Sequence, residues 1–327
     1  AMMCAVEQCN GSADCRKSIL FGGTMCPAYK MSHDETQTTR ARANVLRELL
    51  TRGWKSGVFA QNSGKSLFEI PELKEVLLSC LACKGCRKDC PSGVDMTRLR
   101  AEVLQHIYDK NGTPLRTFLV ARMPRIERLG AIVPRMYNFF ATNKLTSAII
   151  KSIVGFSQKR TIPTLSKKSL KEYVKESQST YHPHSDLAPH SDRTPHSDRT
   201  PHSDESQNLK IKPLVYLFAD EFTDRQETEL GITFVNLLQR LGYKVVVPNH
   251  KESGRAAISK GCLKLAKKYA EQNLALLKDI VSSDTPLVGI EPSCILTFRD
   301  EYPDLVTPDK RTEAQQLAKN CLLYDEF

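Results

Sequence analysis

Cys80, Cys83, Cys86 and Cys90 are separated by two, two and three residues, and Pro91 follows the last of them. Three thiolates in so tight a loop suit three iron corners of a 4Fe-4S cubane. The cysteine before the proline turns away to ligate a second cluster. Four thiolates also suit a structural zinc ion, although zinc sites usually draw on two separated Cys-x-x-Cys pairs.

A second, weaker copy of the pattern lies upstream: Cys9, Ser12, Cys15, and then Cys26 before Pro27. In a two-cluster ferredoxin the fourth cysteine of each motif serves the other cluster. One cluster is therefore expected on Cys80, Cys83, Cys86 and Cys26. The other would use Cys9, Cys15 and Cys90, with Ser12 where a thiolate belongs and Cys4 near enough in sequence to substitute. The second site then holds a three-iron cluster, a four-iron cluster with another ligand, or none.

Composition agrees with metal rather than disulfide chemistry. Eight of the eleven cysteines fall in the two groups, which points to a reducing, cytoplasmic setting. No run of eighteen apolar residues is present to span a membrane. A chain that opens at Ala1 and runs straight into a cysteine group reads as a piece of something longer. The net charge of +10 is concentrated: residues 111–175 hold 13 Lys and Arg against Glu127 and Glu172. Such a segment suits an acidic partner, or peripheral contact with anionic lipid on the inner face of a membrane. Interleaved aromatics and a regular basic face are lacking, so nucleic acid is not an expected partner.

The cysteine loops need helices to hold them. Apolar residues at helical spacing predict one helix from Asp34 to Leu50, ended by Gly53, and another from Val94 to Tyr108. A short helix after Pro71 delivers Cys80. Arg40 and Arg42 could offset a cluster's negative charge, or could simply be surface arginines. Helical pieces broken by Pro114, Pro124, Pro134 and Pro163 follow. Pro-His-Ser-Asp then repeats at 183, 189, 195 and 201, a polar stretch with little to bury. Beyond it come a strand at 213–219, a helix from Thr228 to Leu241, a strand at 244–247, a long helix from Ser259 to Ile280 and a strand at 287–290. A turn is expected from Pro292 to Cys294. That alternation predicts an open parallel α/β sheet with functional residues at the carboxyl ends of its strands. Asp220, Glu221, Asn249, His250, Glu252, Ser253, Gly254, Arg255, Glu291, Ser293 and Cys294 stand there, and Arg255 with the backbone near Gly254 could hold an anion.

The expected fold is α+β and multidomain. A helical ferredoxin-like iron–sulfur domain (1–110) leads into a basic helical extension (111–178). A disordered repeat linker (179–209) and an α/β domain (210–327) follow.

With these residues in view, the chain resembles the C-terminal iron–sulfur region of bacterial FAD-linked dehydrogenases of the D-lactate or 2-hydroxyglutarate type. It is also similar to the iron–sulfur subunits of glycolate oxidase and anaerobic glycerol-3-phosphate dehydrogenase. Gly22-Gly-Thr-Met-Cys26-Pro27, Thr39-Arg-Ala-Arg-Ala-Asn44, the Cys80–Pro91 run, His250-Lys-Glu-Ser-Gly-Arg255 and Gly289-Ile-Glu-Pro-Ser-Cys294 carry the resemblance. It implies that a flavin (FAD) domain or subunit oxidises a 2-hydroxy acid, and that electrons pass through 4Fe-4S clusters to an acceptor such as quinone. The chain alone would then turn over no substrate. It also implies that the last part is a cysteine-rich domain, but a degenerate and truncated one. Glu221 and Glu252-Ser253-Gly254 stand where cysteines are expected, and only Cys294 remains. The rival expectations are a separate iron–sulfur subunit of a glycerol-3-phosphate or glycolate dehydrogenase, and a zinc-bound structural or interaction module.

Overall fold

A computed structural model of the chain describes residues 2–55, 71–179 and 213–327. The repeat linker lies almost wholly outside these residues, as does the stretch 56–70.

The first part is all α: α1 (Met2–Glu7), α2 (Pro27–Ser32), α3 (Thr39–Lys55), α4 (Pro71–Leu78), α5 (Gly85–Asp89) and α6 (Met96–Asn111). Leu46, Leu73, Leu77, Leu99 and Val103 join Cys15, Cys26 and Cys86 in one core. The cysteines are therefore packed into the apolar interior by the same helices that hold the domain together. Two starts differ from expectation because an aspartate intervenes. Asp34 caps a separate turn, its carboxylate accepting from the Thr36 amide at 2.9 Å, and α3 begins only at Thr39. Asp95 accepts from the Arg98 amide at 3.2 Å and starts α6 at Met96 rather than Val94. Gly53 does not end α3, which runs on to Lys55; a single interior glycine costs only about 1 kcal/mol.

Next come α7 (Leu115–Ala121), α8 (Met123–Gly130), α9 (Pro134–Thr142), α10 (Lys144–Val154) and α11 (Leu170–Ser179). Pro124 and Pro134 sit in the first turns of α8 and α9, where a missing N–H leaves nothing unpaired. They start helices as well as separating them.

The last part contains β1 (Leu214–Phe218), α12 (Thr228–Arg240), β2 (Lys244–Val246), α13 (Arg255–Ser259), α14 (Leu263–Leu277), β3 (Leu287–Gly289), α15 (Pro292–Asp300), α16 (Tyr302–Leu305), α17 (Arg311–Lys319) and β4 (Cys321–Leu323). The sheet is parallel throughout, in the order β2-β1-β3-β4. The architecture is thus an all-α ferredoxin-like domain followed by a parallel α/β domain. Where a turn was expected after Glu291, α15 forms instead. Glu291 caps it, accepting from the Ser293 amide at 3.2 Å and the Ser293 hydroxyl at 2.7 Å.

The long helix expected from Ser259 to Ile280 is α14, which starts only at Leu263 and ends at Leu277; Ser259 instead closes α13, and Gly261 (φ +75°) parts the two. A Cβ there would lie 2.4 Å from Leu104 Cβ of α6. The break lets the α/β domain close onto the helical one. It is reinforced by Arg100 of α6, which donates to the carbonyls of Leu77 (3.1 Å) and Ser259 (2.9 Å). Gly261→Ala is expected to destabilise the chain by about 2 kcal/mol or more, from left-handed strain plus the clash. Urea denaturation followed by circular dichroism measures it.

Candidate metal centre

Each cysteine loop reverses through a left-handed residue at the matching place. Ala13 (φ 63°) lies between Ser12 and Cys15, and Lys84 (φ 60°) between Cys83 and Cys86. Both residues open a short helical turn, Asp14–Arg16 and α5 respectively. Such φ values are unfavourable for residues with a Cβ. Their recurrence at equivalent positions shows that the two motifs share one backbone shape, although the first has lost a cysteine. Cys26 caps α2, with Pro27 as its first residue.

The loops are joined by two residues that the spacing rules did not mark. Asp89 accepts from the Thr24 amide (2.5 Å), the Thr24 hydroxyl (2.9 Å) and the Met25 amide (3.0 Å). Gly85 packs so closely on the Thr24 backbone that a Cβ would lie 2.9 Å from Thr24 Oγ1 and 3.2 Å from its carbonyl carbon. Together they bring Cys26 to the Cys80–Cys86 loop. Cys26, Cys80, Cys83 and Cys86 line one cavity with Thr39, Arg42, Met96 and Thr97. The cavity volume is about 20 Å³, room for about one water molecule.

Those hydrogen bonds to Asp89 hold its carboxyl below the usual carboxylate range. A carboxyl with a lowered folded pKa stabilises the fold above its unfolded value. That contribution fades as pH falls through the folded value. Chelator-accessible iron from the loaded protein is therefore expected to rise below about pH 4. Asp89→Ala should release iron faster at neutral pH and lose that acid step; a chromogenic chelator assay reads both.

Arg42 is the side chain of most consequence around the cavity. It is 1% exposed. Its Nε donates to the Val76 carbonyl at 2.9 Å and its Nη2 to the Ser79 hydroxyl at 2.7 Å, while Nη1 lies 3.5 Å from Cys26 Sγ. None of these partners is charged while Cys26 is a thiol. A buried guanidinium without an opposing charge costs several kcal/mol; thiolates holding a cluster would supply one. Arg40 pairs with Glu35 at the surface instead. Burial pushes the Cys80 thiol up and the Cys86 thiol to about 12, so these sulfurs become thiolates when metal displaces their protons. Among the described residues no three His, Cys, Asp or Glu are grouped closely enough to hold a metal ion.

The other predicted set is looser. Cys15 is buried and lies near Cys9 and Cys26, and burial raises its thiol pKa. Cys9 and Cys90 are half-buried against the same core. Arg47 steadies this loop by donating to the Cys9 carbonyl at 2.8 Å. Ser12 is exposed, and its amide donates to Asn10 Oδ1 at 3.1 Å. Cys4 is exposed on α1.

The rim residues of the α/β domain divide into two groups. Glu221 accepts from the amide (3.1 Å) and hydroxyl (2.6 Å) of Ser253. Cys294 is wholly buried beside Glu221 and Asp220, and burial and these carboxylates raise its thiol pKa well above the usual range. His250 is buried against Phe218, with ring centroids 4.4 Å apart, and burial pushes it down to about 3. Arg255 belongs to the second group. Its guanidinium bonds Glu301 at 3.0 Å and reaches the Ala82 carbonyl at 3.5 Å. The carboxylate of Glu301 therefore takes the place of the expected anion. Lys84 of the cysteine loop also pairs with Glu301, and with Asp300 at 3.2 Å. Arg255, Gly85, Lys88, Ser293 and Thr297 border a groove onto which the exposed Cys83 opens. The Lys84–Glu301–Arg255 tie was not legible beforehand; the one available signal was a lysine inside the cysteine loop.

Comparison with known proteins agrees with this centre. A family described as "4Fe-4S dicluster domain" matches residues 8–95. The chain is similar to D-2-hydroxyglutarate dehydrogenase of Escherichia coli (strain K12), 27% identical over 340 positions that cover 96% of the chain and 31% of the relative. The protein of the same name from Pantoea ananatis is 26% identical, covering 91% of the chain and 30% of the relative. The one from Haemophilus influenzae is 24% identical, covering 90% and 29%. The chain thus spans about a third of the length of these relatives. No solved structure gives a significant match. The N-terminal domain is accordingly a 4Fe-4S dicluster domain homologous to the iron–sulfur region of the bacterial D-2-hydroxyglutarate dehydrogenases.

Proposed function

We propose that this chain relays electrons from a flavin (FAD) dehydrogenase domain or subunit to an acceptor such as quinone, in the oxidation of a 2-hydroxy acid. The observation that carries the reading is the single cavity ringed by Cys26, Cys80, Cys83 and Cys86, with the buried charge of Arg42 against it. A 4Fe-4S cluster bound there supplies one-electron transfer with little rearrangement. The protein's part is to hold the thiolates, exclude water and set the local charge. Met96, Thr97 and the α3–α4 side close the cavity, while Cys83 faces the groove under α15. That open side is the approach for an electron partner, and Arg87 and Lys88 give it positive charge beyond the Lys84–Glu301–Arg255 tie. Cys9, Cys15 and Cys90 are the proposed ligands of the second cluster. The resemblance to the dehydrogenases supports the flavin donor and the acceptor class, and the chain itself is not proposed to be catalytic.

Anaerobic reconstitution followed by iron, sulfide and EPR measurement tests the reading. About four irons per chain with matching sulfide support one cubane, about seven a three-iron second cluster, and about eight a pair of cubanes. Stoichiometric zinc without sulfide overturns it.

A further inference from the structure

Helices α7 to α10 and their connections carry large apolar side chains that nothing among the described residues covers. Ile132 is 75% exposed, Leu145 71% and Ile153 70%, with Phe139, Met136 and Phe118 exposed beside them. Between them runs a trough of about 450 Å³, lined by Met123, Ile126, Val133, Phe140 and Ile150 among others and almost devoid of polar atoms. This is about three times the roughly 150 Å³ of a dry cavity that stays empty in a folded protein. A patch of this kind marks a protein or membrane contact.

Charge decides which. Residues 112–171 contain twelve Lys and Arg and one acid, Glu127. That acid is 2% exposed and accepts a hydrogen bond from Gln226 at 2.6 Å. Burial raises its pKa to about 7. The outward surface of these helices therefore presents basic groups and apolar groups with no exposed acid. Arg135 and Lys144 are exposed at the starts of α9 and α10. Arg122 stacks on Phe118 with its guanidinium carbon 3.9 Å from the ring centre. A second copy of this face would set like charges against each other. A sheet of anionic headgroups over acyl chains matches both features. Among the described residues no helix is long and apolar enough to cross a membrane, so the contact would lie in the interface.

We propose that α7–α10 form a membrane-binding face that rests on an anionic lipid bilayer, with Ile132, Phe139, Leu145 and Ile153 in the acyl boundary and Arg135 and Lys144 at the headgroups. The inference does not require that electrons pass through the clusters, and its test is independent of iron content.

Vesicle flotation with the 327-residue chain is the experiment. The chain should float with phosphatidylcholine vesicles containing phosphatidylglycerol, not with phosphatidylcholine alone, and high salt should weaken the binding. Ile132→Asp/Leu145→Asp should abolish flotation. Arg135→Gln/Lys144→Gln should lower the partition coefficient about 25-fold, about fivefold per charge. Circular dichroism checks that each variant is folded; if the aspartate pair unfolds the chain, the glutamine pair alone decides. Absence of flotation on anionic vesicles at low salt overturns the proposal. Equal flotation on neutral vesicles, or an unchanged partition in the glutamine pair, does so too. So does a lipid-free dimer dissociated by the aspartate pair, which would assign the face to a second copy.

Discussion

Cys26→Ala is expected to strip one cluster's iron and sulfide from the chain as completely as Cys86→Ala does, despite its distance in sequence from the Cys80 loop. Three sulfurs of the ring come from one loop, but the fourth corner belongs to Cys26, which Asp89 and Gly85 hold against that loop. An unligated corner exposes one iron to water and loses part of a binding free energy that is also folding free energy. The variant should therefore melt at a lower temperature as well as bind less iron. Cys294→Ala is the control: its thiol is buried beside Glu221 and Asp220 on the α/β rim, so the iron count should not change. The cross-loop assignment fails if Cys26→Ala keeps full iron while Cys90→Ala loses the signal expected of the Cys80 loop. Metal analysis and EPR on the three proteins give the answer.

The cysteines that line the cavity were legible as candidates because spacing records them directly: a cubane needs thiolates at fixed short intervals, and Cys80 to Cys90 have those intervals. The α/β alternation was legible for the same local reason, since Leu214–Phe218 and Leu287–Gly289 are short apolar runs between helical periods. What sequence did not disclose depends on partners distant in the chain. Sequence left Arg40 and Arg42 alike open between offsetting a cluster's charge and lying at the surface; only the fold separates them, when the end of α4 supplies Arg42 with the Val76 carbonyl and the Ser79 hydroxyl. Gly261 looks like a tolerated residue inside a helix, but Leu104 from another domain fills the space where a side chain would go. β4 has only three residues, too few for an alternating pattern, and it becomes a strand by pairing with β3. His250 stands at a strand end, as functional residues do, and its ring packs against Phe218.

Arg42→Leu is expected to lower the midpoint potential of the cluster in the Cys80 cavity. The guanidinium is buried, held by two hydrogen bonds, and lies 3.5 Å from Cys26 Sγ. Each electron added makes the cluster more negative, so a fixed positive charge favours the reduced form, and its removal favours the oxidised form. Two unit charges about 6 Å apart at an effective dielectric near 20 interact by roughly 3 kcal/mol. At 59 mV per tenfold in a one-electron couple, that corresponds to a fall of about 120 mV. Arg42→Lys separates charge from hydrogen bonding. It restores the charge but cannot make all three contacts, so its potential should fall between wild type and Arg42→Leu. EPR-monitored redox titration at fixed pH measures the potentials, with iron content confirming that all three proteins are equally loaded. A merely structural role for Arg42 would lower the loading and leave the potential of the loaded fraction where it was, which is the result that would refute electrostatic tuning.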